Sequence, residues 1–402
     1  MGKIDKKVLI SLYIILTILR PSPINLMGNT AAKLIIELVW FLFTIILYLT
    51  FNPKFRFGRV FFVFFCSVGI SILLNPTYLL NKFNLNDTYE VLLILNYFLI
   101  LNLGLNIKIN EQEFEELILK PFNTALIVVL LITFLSLFND TFYKFIQNVY
   151  FFKTAGMYST ERVRVSGTFT NPNHFSIFLN FAAIVTLYYF NKYKHTRLFK
   201  IFLLSELLLT LALILFTGSR TGMVILIFNI VGFLLISVNK ASLGKVFTIF
   251  ILLGTIVYFN LEFILEKLPQ RFRSTISLIE VGGVFAIDSL RIKFELSTLR
   301  FSDVFSNAPF FGYGPSNNIT FDLGDNQIMS ILYKYGFIGL MLFLSIFFLD
   351  FFKLKKGKYF KFFPLIFLVA FLTGGFFYNP QLSLIYFILV GILIKNRSEF
   401  SY

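Results

Sequence analysis

Charge is scarce in this sequence of 402 residues, because Asp, Glu, Lys and Arg together make up only 14% of it. A soluble domain carries roughly 25% of such residues. Hydrophobic residues make up 57%, and apolar runs long enough to cross a hydrocarbon core about 30 Å thick recur along the chain. The composition excludes a soluble two-domain protein and predicts an all-α, polytopic membrane protein whose single integral domain covers residues 1–402.

Cysteine is nearly absent as well. The single Cys66 lies in the apolar run 60–74, which excludes a disulfide framework and a cysteine metal site, and we expect it to pack against apolar neighbours. The N-terminus combines a basic start with a short apolar run, as a signal peptide does. No small-residue cleavage site follows, so we predict an uncleaved first helix.

Twelve apolar runs predict about twelve transmembrane helices. They lie near residues 6–19, 31–51, 60–74, 90–105, 122–138, 174–190, 198–216, 222–238, 246–262, 337–352, 362–377 and 381–394. Lys and Arg concentrate in alternate short connections, which predicts that both termini are cytoplasmic. One inner connection is acidic instead, with EQEFEE at 111–116.

Two long segments fall on the outer side in this topology. Residues 139–173 form one extracytoplasmic loop, and residues 263–336 form a longer one between the ninth and tenth helices. Within the longer loop, the stretch 287–305 lacks Gly and Pro and predicts a helix. The turn-rich stretch NAPFFGYGPSNN (307–318) should end that helix. Asp325 or Asn326 then caps a second short helix, and the next span begins near Phe337.

Arginine makes up a larger share of the cations in the outer segments than in the inner loops, where lysine dominates. The planar fork of Arg matches phosphate oxygens better than the ammonium of Lys does. Arg220 is the sharpest case, because it stands in the six-residue outer turn TGSRTG (217–222). The alternative for Arg220 is an interfacial anchor that touches lipid phosphate. The outer cations on which this interpretation rests are Arg162, Arg164, Arg220, Arg271, Arg273, Arg291, Lys293 and Arg300.

Asp325 and His174 are the candidates for a general base on the outer side. Helix capping is the alternative for Asp325, and an interfacial position is the alternative for His174. Asn171 and Asn173 flank Pro172, where they could cap a helix or contact a sugar. The outer aspartates include no Asp-x-Asp pair of the kind that holds a divalent ion, so we predict a metal-independent site.

Four stretches carry a family resemblance. They are GTFTNPNHFS (167–176), LILFTGSRTG (213–222), SLRIKFELSTLRFSDVFSNAPFFGYGPSNN (289–318) and DNQIMSILYKYGFIGL (325–340). In order, spacing and placement they resemble the O-antigen ligase/polymerase family of bacterial envelope enzymes, over about residues 160–345. The first five helices contribute only hydropathy.

The resemblance implies a GT-C type glycosyltransferase without a cofactor in the bacterial cytoplasmic membrane, acting on an undecaprenyl-pyrophosphate-linked oligosaccharide. Arg220 and Arg291 match the arginines thought to hold the pyrophosphate. Asp325 falls where ligases of the family carry a catalytic histidine, which favours a polymerase with Asp325 as base. The remaining predicted substrate-binding residues are Arg162, Arg164, Asn171, Asn173, His174, Arg300 and Asn326.

We therefore expect a polymerase that joins repeat units of O-antigen or capsule. Its expected partners are the lipid-linked oligosaccharide and the bilayer, with a chain-length regulator and a flippase as further candidates, and no nucleic acid. A ligase of the same family is the nearest alternative, and a lipid-linked oligosaccharide flippase or transporter is the alternative from another class. Only Glu206, near the middle of the seventh predicted helix, argues for transport. We expect Glu206 to bond to a neighbouring helix or to line the substrate cavity.

Overall fold

The structure is a computed structural model. It describes residues 6–21, 30–54, 59–74, 85–150, 165–192, 196–237, 288–315, 326–354, 362–373 and 376–396. Within these ranges every regular element is a helix, and there is no strand. The helices are α1 (Lys6–Ile18), α2 (Thr30–Phe51), α3 (Arg59–Leu74), α4 (Leu85–Gly104), α5 (Glu111–Phe138), α6 (Asp140–Tyr150), α7 (Pro172–Lys192), α8 (Arg197–Phe216), α9 (Arg220–Ser237), α10 (Asp288–Asn307), α11 (Gln327–Lys353), α12 (Phe362–Thr373) and α13 (Pro380–Lys395). A single 3₁₀ turn, Phe376–Tyr378, precedes α13.

Four of these helices are long and apolar enough to cross a membrane. The apolar stretches are Leu34–Phe51 of α2, all of α5 and α8, and Gln327–Asp350 of α11. The expected all-α class is confirmed over the described residues. Eleven of the twelve predicted apolar runs coincide with a helix, and the run 246–262 lies outside the described residues. That each run is a full span stays a prediction.

Helix α13 occupies the core of the bundle. Its residues from Gln381 to Leu393 are all buried, as expected of a helix that is apolar all round. It packs against α1, α4 and α11. At the α4 contact a Cβ atom on Gly104 would lie 2.8 Å from the carbonyl oxygen of Ile388 and 3.0 Å from the Cα of Gly391. Glycine on both helices is what lets the two backbones approach this closely.

Two local expectations differ from the structure. The acidic stretch 111–116 is the first part of α5 and not a loop, because Asn110 forms a capping box with Glu113 at distances of 2.8 and 3.1 Å. Cys66 is exposed on α3 and not packed in the core. It shares a face with the exposed side chains of Phe62 and Ile70, four residues to either side, and this face points away from the bundle.

Candidate functional site

Backbone groups from three parts of the chain meet around Gln381, the second residue of α13. Its Nε2 lies 3.0 Å from the carbonyl oxygen of Ile18, and 3.2 Å from those of Arg20 and Thr168. The end of α1, the segment before α7 and the start of α13 therefore lie together. We call this the loop end of the bundle.

Two more contacts bring further connections to the loop end. The N–H of Val165 donates to the carbonyl of Phe216 at 3.3 Å, which adds the end of α8. The hydroxyl of Ser71, near the end of α3, donates to the carbonyl of Lys334 at 2.7 Å, which adds the first part of α11. The loop end thus gathers connections that the charge pattern assigns to the outer side.

His174 is held in one orientation by Asn379. The Oδ1 of Asn379 caps α13 by accepting from the N–H of Leu382 at 3.2 Å, so its Nδ2 faces the Nδ1 of His174 at 3.0 Å. Since Nδ2 can only donate, Nδ1 accepts and the neutral imidazole carries its proton on Nε2. In this arrangement the Nε2–H of His174 is a hydrogen-bond donor. A role as base at Nε2 requires the other tautomer, which breaks the bond to Asn379.

Asn171 and Asn173 form the start of α7, as the sequence predicts. The Oδ1 of Asn171 accepts from the N–H of Asn173 at 2.7 Å, and the carbonyl of Asn173 accepts from the hydroxyl of Ser176 at 2.7 Å. The capping interpretation of Asn171 is confirmed, whereas a contact with sugar stays a prediction for both residues.

The TGSRTG turn is a tight, buried link between α8 and α9. Thr217 and Ser219 are fully buried, and Gly218 takes the left-handed backbone conformation with φ of 60°. The hydroxyl of Ser219 caps α9 by accepting from the N–H of Gly222 at 3.1 Å. Arg220, half-buried, is therefore the first residue of α9. A cationic side chain at a helix N-terminus, where the dipole is positive, suits an anion.

The starts of α7 and α9 touch each other at the loop end. A Cβ atom on Gly222 would lie 2.6 Å from the Oγ of Ser176, and the carbonyl of Gly222 accepts from the Nδ2 of Asn180 at 3.0 Å. His174 and Arg220 therefore stand on the first turns of two helices in direct contact. The fold thus brings together the two helix starts that carry these predicted site residues.

Helix α11 is interrupted at Gly336, whose φ and ψ are 65° and −168°. The segment 308–314, which we call the latch, supplies hydrogen bonds that the interruption leaves open. The N–H groups of Tyr313 and Gly314 donate to the carbonyls of Tyr333 and Lys334 at 2.9 and 2.8 Å. On the other side of the break, Phe337 and Ile338 donate to the carbonyls of Pro309 and Phe310 at 2.8 and 3.2 Å. Irregular backbone inside a membrane protein persists only where it is paired in this way.

Tyr313 adds a side-chain contact to the latch. Its ring packs on that of Tyr333, with centroids 4.8 Å apart, and its hydroxyl donates to the Oδ1 of Asp303 at 3.0 Å. Burial and the bond to Asp303 raise the pKa of Tyr313 to about 12, so the phenol keeps its proton at neutral pH. The predicted helix stop and turns are confirmed as far as residue 315, and this segment pairs with the break in α11.

The two predicted arginines of α10 lie on opposite faces of that helix. Arg300 is buried, with its guanidinium 5.6 Å from the centroid of the Tyr333 ring. Arg291 is exposed, with its Nε 4.0 Å from an oxygen of Glu295 one turn further on. Arg291, Glu295 and Thr298 share one exposed face of the helix by their spacing. Arg300 therefore stabilises the α10–α11 contact, and Arg291 faces outward.

Asn326 caps α11, because its Oδ1 accepts from the N–H of Met329 at 3.2 Å. Its Nδ2 lies 3.4 Å from the hydroxyl of Ser297 on α10. The capping expectation is met by Asn326, and its predicted contact with substrate stays a prediction. Asp325, Arg162 and Arg164 lie outside the described residues.

A buried ion pair beside the break in α11 was missed by the sequence reasoning. The Nζ of Lys334 lies 2.8 and 3.0 Å from the two carboxylate oxygens of Glu90, and the hydroxyl of Tyr335 donates to the same carboxylate. The ammonium also stands 4.2 Å from the ring centroid of Tyr378. Glu90, like Glu206, is an acidic residue in an apolar helix, and this feature of the sequence could have identified it.

Glu206 is buried in α8 and bonds to a neighbouring helix, as expected. The hydroxyl of Thr186 on α7 donates to its Oε1 at 3.2 Å. A similar contact joins the segment after α1 to α2, where the guanidinium of Arg20 lies 2.7 Å from the carboxylate of Glu37. Both contacts fasten separate segments of the chain to one another.

The described residues contain no group of three or more His, Cys, Asp and Glu side chains that could hold a metal ion. The metal-independent reaction stays a prediction. Among models of protein families none matches the chain, and among curated proteins none matches it significantly.

Proposed function

We propose that the protein is a polysaccharide polymerase with about twelve transmembrane helices and both termini in the cytoplasm. It transfers a glycan from undecaprenyl pyrophosphate to a lipid-linked repeat unit on the outer side of the bacterial cytoplasmic membrane. The observation that carries the proposal is the contact between the first turns of α7 and α9, the two turns on which His174 and Arg220 stand. The family resemblance of the sequence supports it independently.

The chemistry needs a stabilised leaving group more than a strong acid. The acceptor hydroxyl attacks the anomeric carbon, the bond from that carbon to the pyrophosphate oxygen breaks, and the lipid pyrophosphate leaves with the electron pair. Arg220 and the positive end of α9 stabilise the charge that grows on this oxygen. The Nε2–H of His174 donates to a phosphate or sugar oxygen nearby. Asp325 stays our candidate for the base that takes the hydroxyl proton.

The test is a reconstitution with a synthetic lipid-pyrophosphate repeat unit and no added metal. Wild type should produce a ladder of longer glycans, and Arg220→Gln should lower the initial rate on the order of 100-fold, the usual cost of one stabilising donor. Arg197→Gln, an exposed cation at the start of α8, is the matched control and should leave the rate unchanged. A single transfer to a lipid A core acceptor, without a ladder, would favour the ligase alternative.

A transporter of lipid-linked oligosaccharide is the second candidate, and one observation favours it. Helix α11 is discontinuous at Gly336, next to the buried Lys334–Glu90 pair, and discontinuous helices with polar partners mark the sites of many transporters. Fluorescent lipid-linked substrate in proteoliposomes separates the two. Movement across the bilayer without any ladder would overturn the polymerase proposal.

A further inference from the structure

A cavity of about 300 Å³ lies at the end of the bundle opposite the loop end. It lies among the start of α3, the ends of α4 and α11, and the end of α13. Its size is at the lower limit of small-molecule sites, roughly 300 Å³. None of the residues assigned above to the polymerase or transporter site lines it.

The wall of the cavity is apolar and its mouth is cationic. Apolar side chains cover the wall, and they include Val60, Phe61, Leu101, Leu105, Ile346 and Leu349. Arg59 and Lys353 are exposed at the mouth, the first residue of α3 and the last residue of α11. The apolar wall suits the acyl chain of a phospholipid, and the two cations at the mouth suit its phosphate.

Asp350 is the one acidic residue of the lining, and it lies one helical turn deeper than Lys353. It is buried, and its Oδ2 accepts from the hydroxyl of Tyr386 at 3.3 Å. The ammonium of a zwitterionic headgroup lies farther from the hydrocarbon than its phosphate does, so Asp350 is on the wrong side to pair with it. The formal charges of Arg59, Lys353 and Asp350 leave the lining with a net charge of +1.

The sequence next to Arg59 and Lys353 is also rich in cations. Residues 53–59 carry Lys54, Arg56 and Arg59, and residues 353–361 carry five lysines. Clusters of cations beside membrane helices attract anionic lipid headgroups by about 1 kcal/mol per residue, which corresponds to about fivefold in affinity.

We propose that this cavity binds an anionic phospholipid, with one acyl chain along the apolar wall and the phosphate between Arg59 and Lys353. The site is independent of the polymerase and transporter proposals. It would fasten the start of α3 to the end of α11, two helices that pack against each other and that also meet at the loop end through Ser71 and Lys334.

The experiment is native mass spectrometry on the full chain in mild detergent, titrated with dioleoyl phosphatidylglycerol or dioleoyl phosphatidylcholine. Wild type should bind the first phosphatidylglycerol at least about fivefold more tightly than the first phosphatidylcholine. Arg59→Gln/Lys353→Gln should lower the phosphatidylglycerol affinity about 25-fold, at about fivefold per cation, and leave phosphatidylcholine unchanged. If the double variant is not recovered, each single variant should lower the phosphatidylglycerol affinity about fivefold.

Two controls separate the cavity from general surface charge. Arg197→Gln/Lys200→Gln removes two exposed cations from the start of α8, away from the cavity, and should keep the preference for phosphatidylglycerol. Leu349→Trp changes no charge and fills the slot from an exposed position, and it should weaken binding as the charge variants do. An equal loss in the α8 control, or no loss in Leu349→Trp, would overturn the proposal. So would the absence of a preference in wild type, or displacement of the lipid by millimolar glycerol phosphate.

Discussion

Gly312 of the latch and Gly336 of α11 are in direct backbone contact. A Cβ atom on Gly312 would lie 2.6 Å from the backbone nitrogen of Gly336, and both residues have φ of 65°. The contact lets the latch reach the hydrogen-bonding groups exposed by the break in α11. Glycine is needed at both positions for space and for conformation.

Gly312→Ala and Gly336→Ala should each lower stability. The backbone of Gly336 lies in a region that is nearly exclusive to glycine, and strain there costs about 1–3 kcal/mol before the steric clash is counted. Thermal unfolding in detergent measures the loss. Gly69→Ala is the control, because a Cβ at Gly69 meets nothing within 4 Å and alanine favours the helix. Membrane insertion should be unchanged in all three, so a variant that fails to insert would contradict this account.

Replacing only one partner of the Lys334–Glu90 pair should strongly lower the free energy of unfolding. Lys334→Met leaves the carboxylate of Glu90, whose side chain is only 5% exposed, without its cation, and such losses cost about 3–5 kcal/mol. The double variant Glu90→Gln/Lys334→Met should recover most of that stability, because no buried charge remains. Equal and additive losses in the double-mutant cycle would show that the pair is not coupled.

The exposed pair Arg291–Glu295 is the matched comparison for that cycle. Its side chains are 55% and 63% exposed and its separation is 4.0 Å, so solvent screens the attraction. Arg291→Gln and Glu295→Gln should leave the unfolding midpoint unchanged. A large loss there would mean that the exposed face of α10 is covered by another part of the chain.

Asn379→Asp should lower the activity of the protein that remains folded. Aspartate still caps α13 by accepting from Leu382, but it presents an acceptor to the Nδ1 of His174 and moves the imidazole proton to that nitrogen. The Nε2–H donor is then lost, and the rate of ladder formation should fall by about 10- to 100-fold, as for other orienting partners of functional groups. Asn110→Asp makes the same change at the cap of α5, distant from the loop end, and should leave the rate intact.

Substitutions of the two arginines of α10 should have different effects, one on stability and the other on activity. Arg300→Met removes a buried guanidinium from the face of Tyr333 and should lower the free energy of unfolding by about 1–2 kcal/mol. Arg291→Met should leave stability intact, and it abolishes the glycan ladder if Arg291 holds the pyrophosphate as the family resemblance implies. Full activity in Arg291→Met would remove this arginine from the proposed site and leave the charge stabilisation to Arg220.

Helical structure was predictable from the sequence, because an apolar run of sufficient length has few ways to satisfy its backbone other than as a helix. The caps at Asn171 and Asn326 were predictable for a related reason: their partners lie within three residues along the chain. The helical stretch 111–116 was not predicted, although its capping box is just as local, because the helices were placed on apolar runs and these acidic residues lie between two of them.

Contacts between distant residues could not be predicted from one sequence. The pairing of Lys334 with Glu90, the bond from Asn379 to His174 and the contact of the α7 and α9 starts each join side chains from different helices. The tautomer of His174 depends on the second of these.

The sequence by itself determined that the chain is helical and apolar, that its turn-rich segments separate helices, and where several helices begin. Those properties depend on local hydropathy, glycine conformation and short-range caps. Only the tertiary structure shows the role of the turn NAPFFGYGP. Its hydrogen-bonding partners, the open backbone groups around Gly336, exist only because α11 is broken and packed beside it. The tertiary structure likewise decided that Arg291 faces outward while Arg300 is buried, since periodicity places them on opposite faces but only packing shows which face is covered.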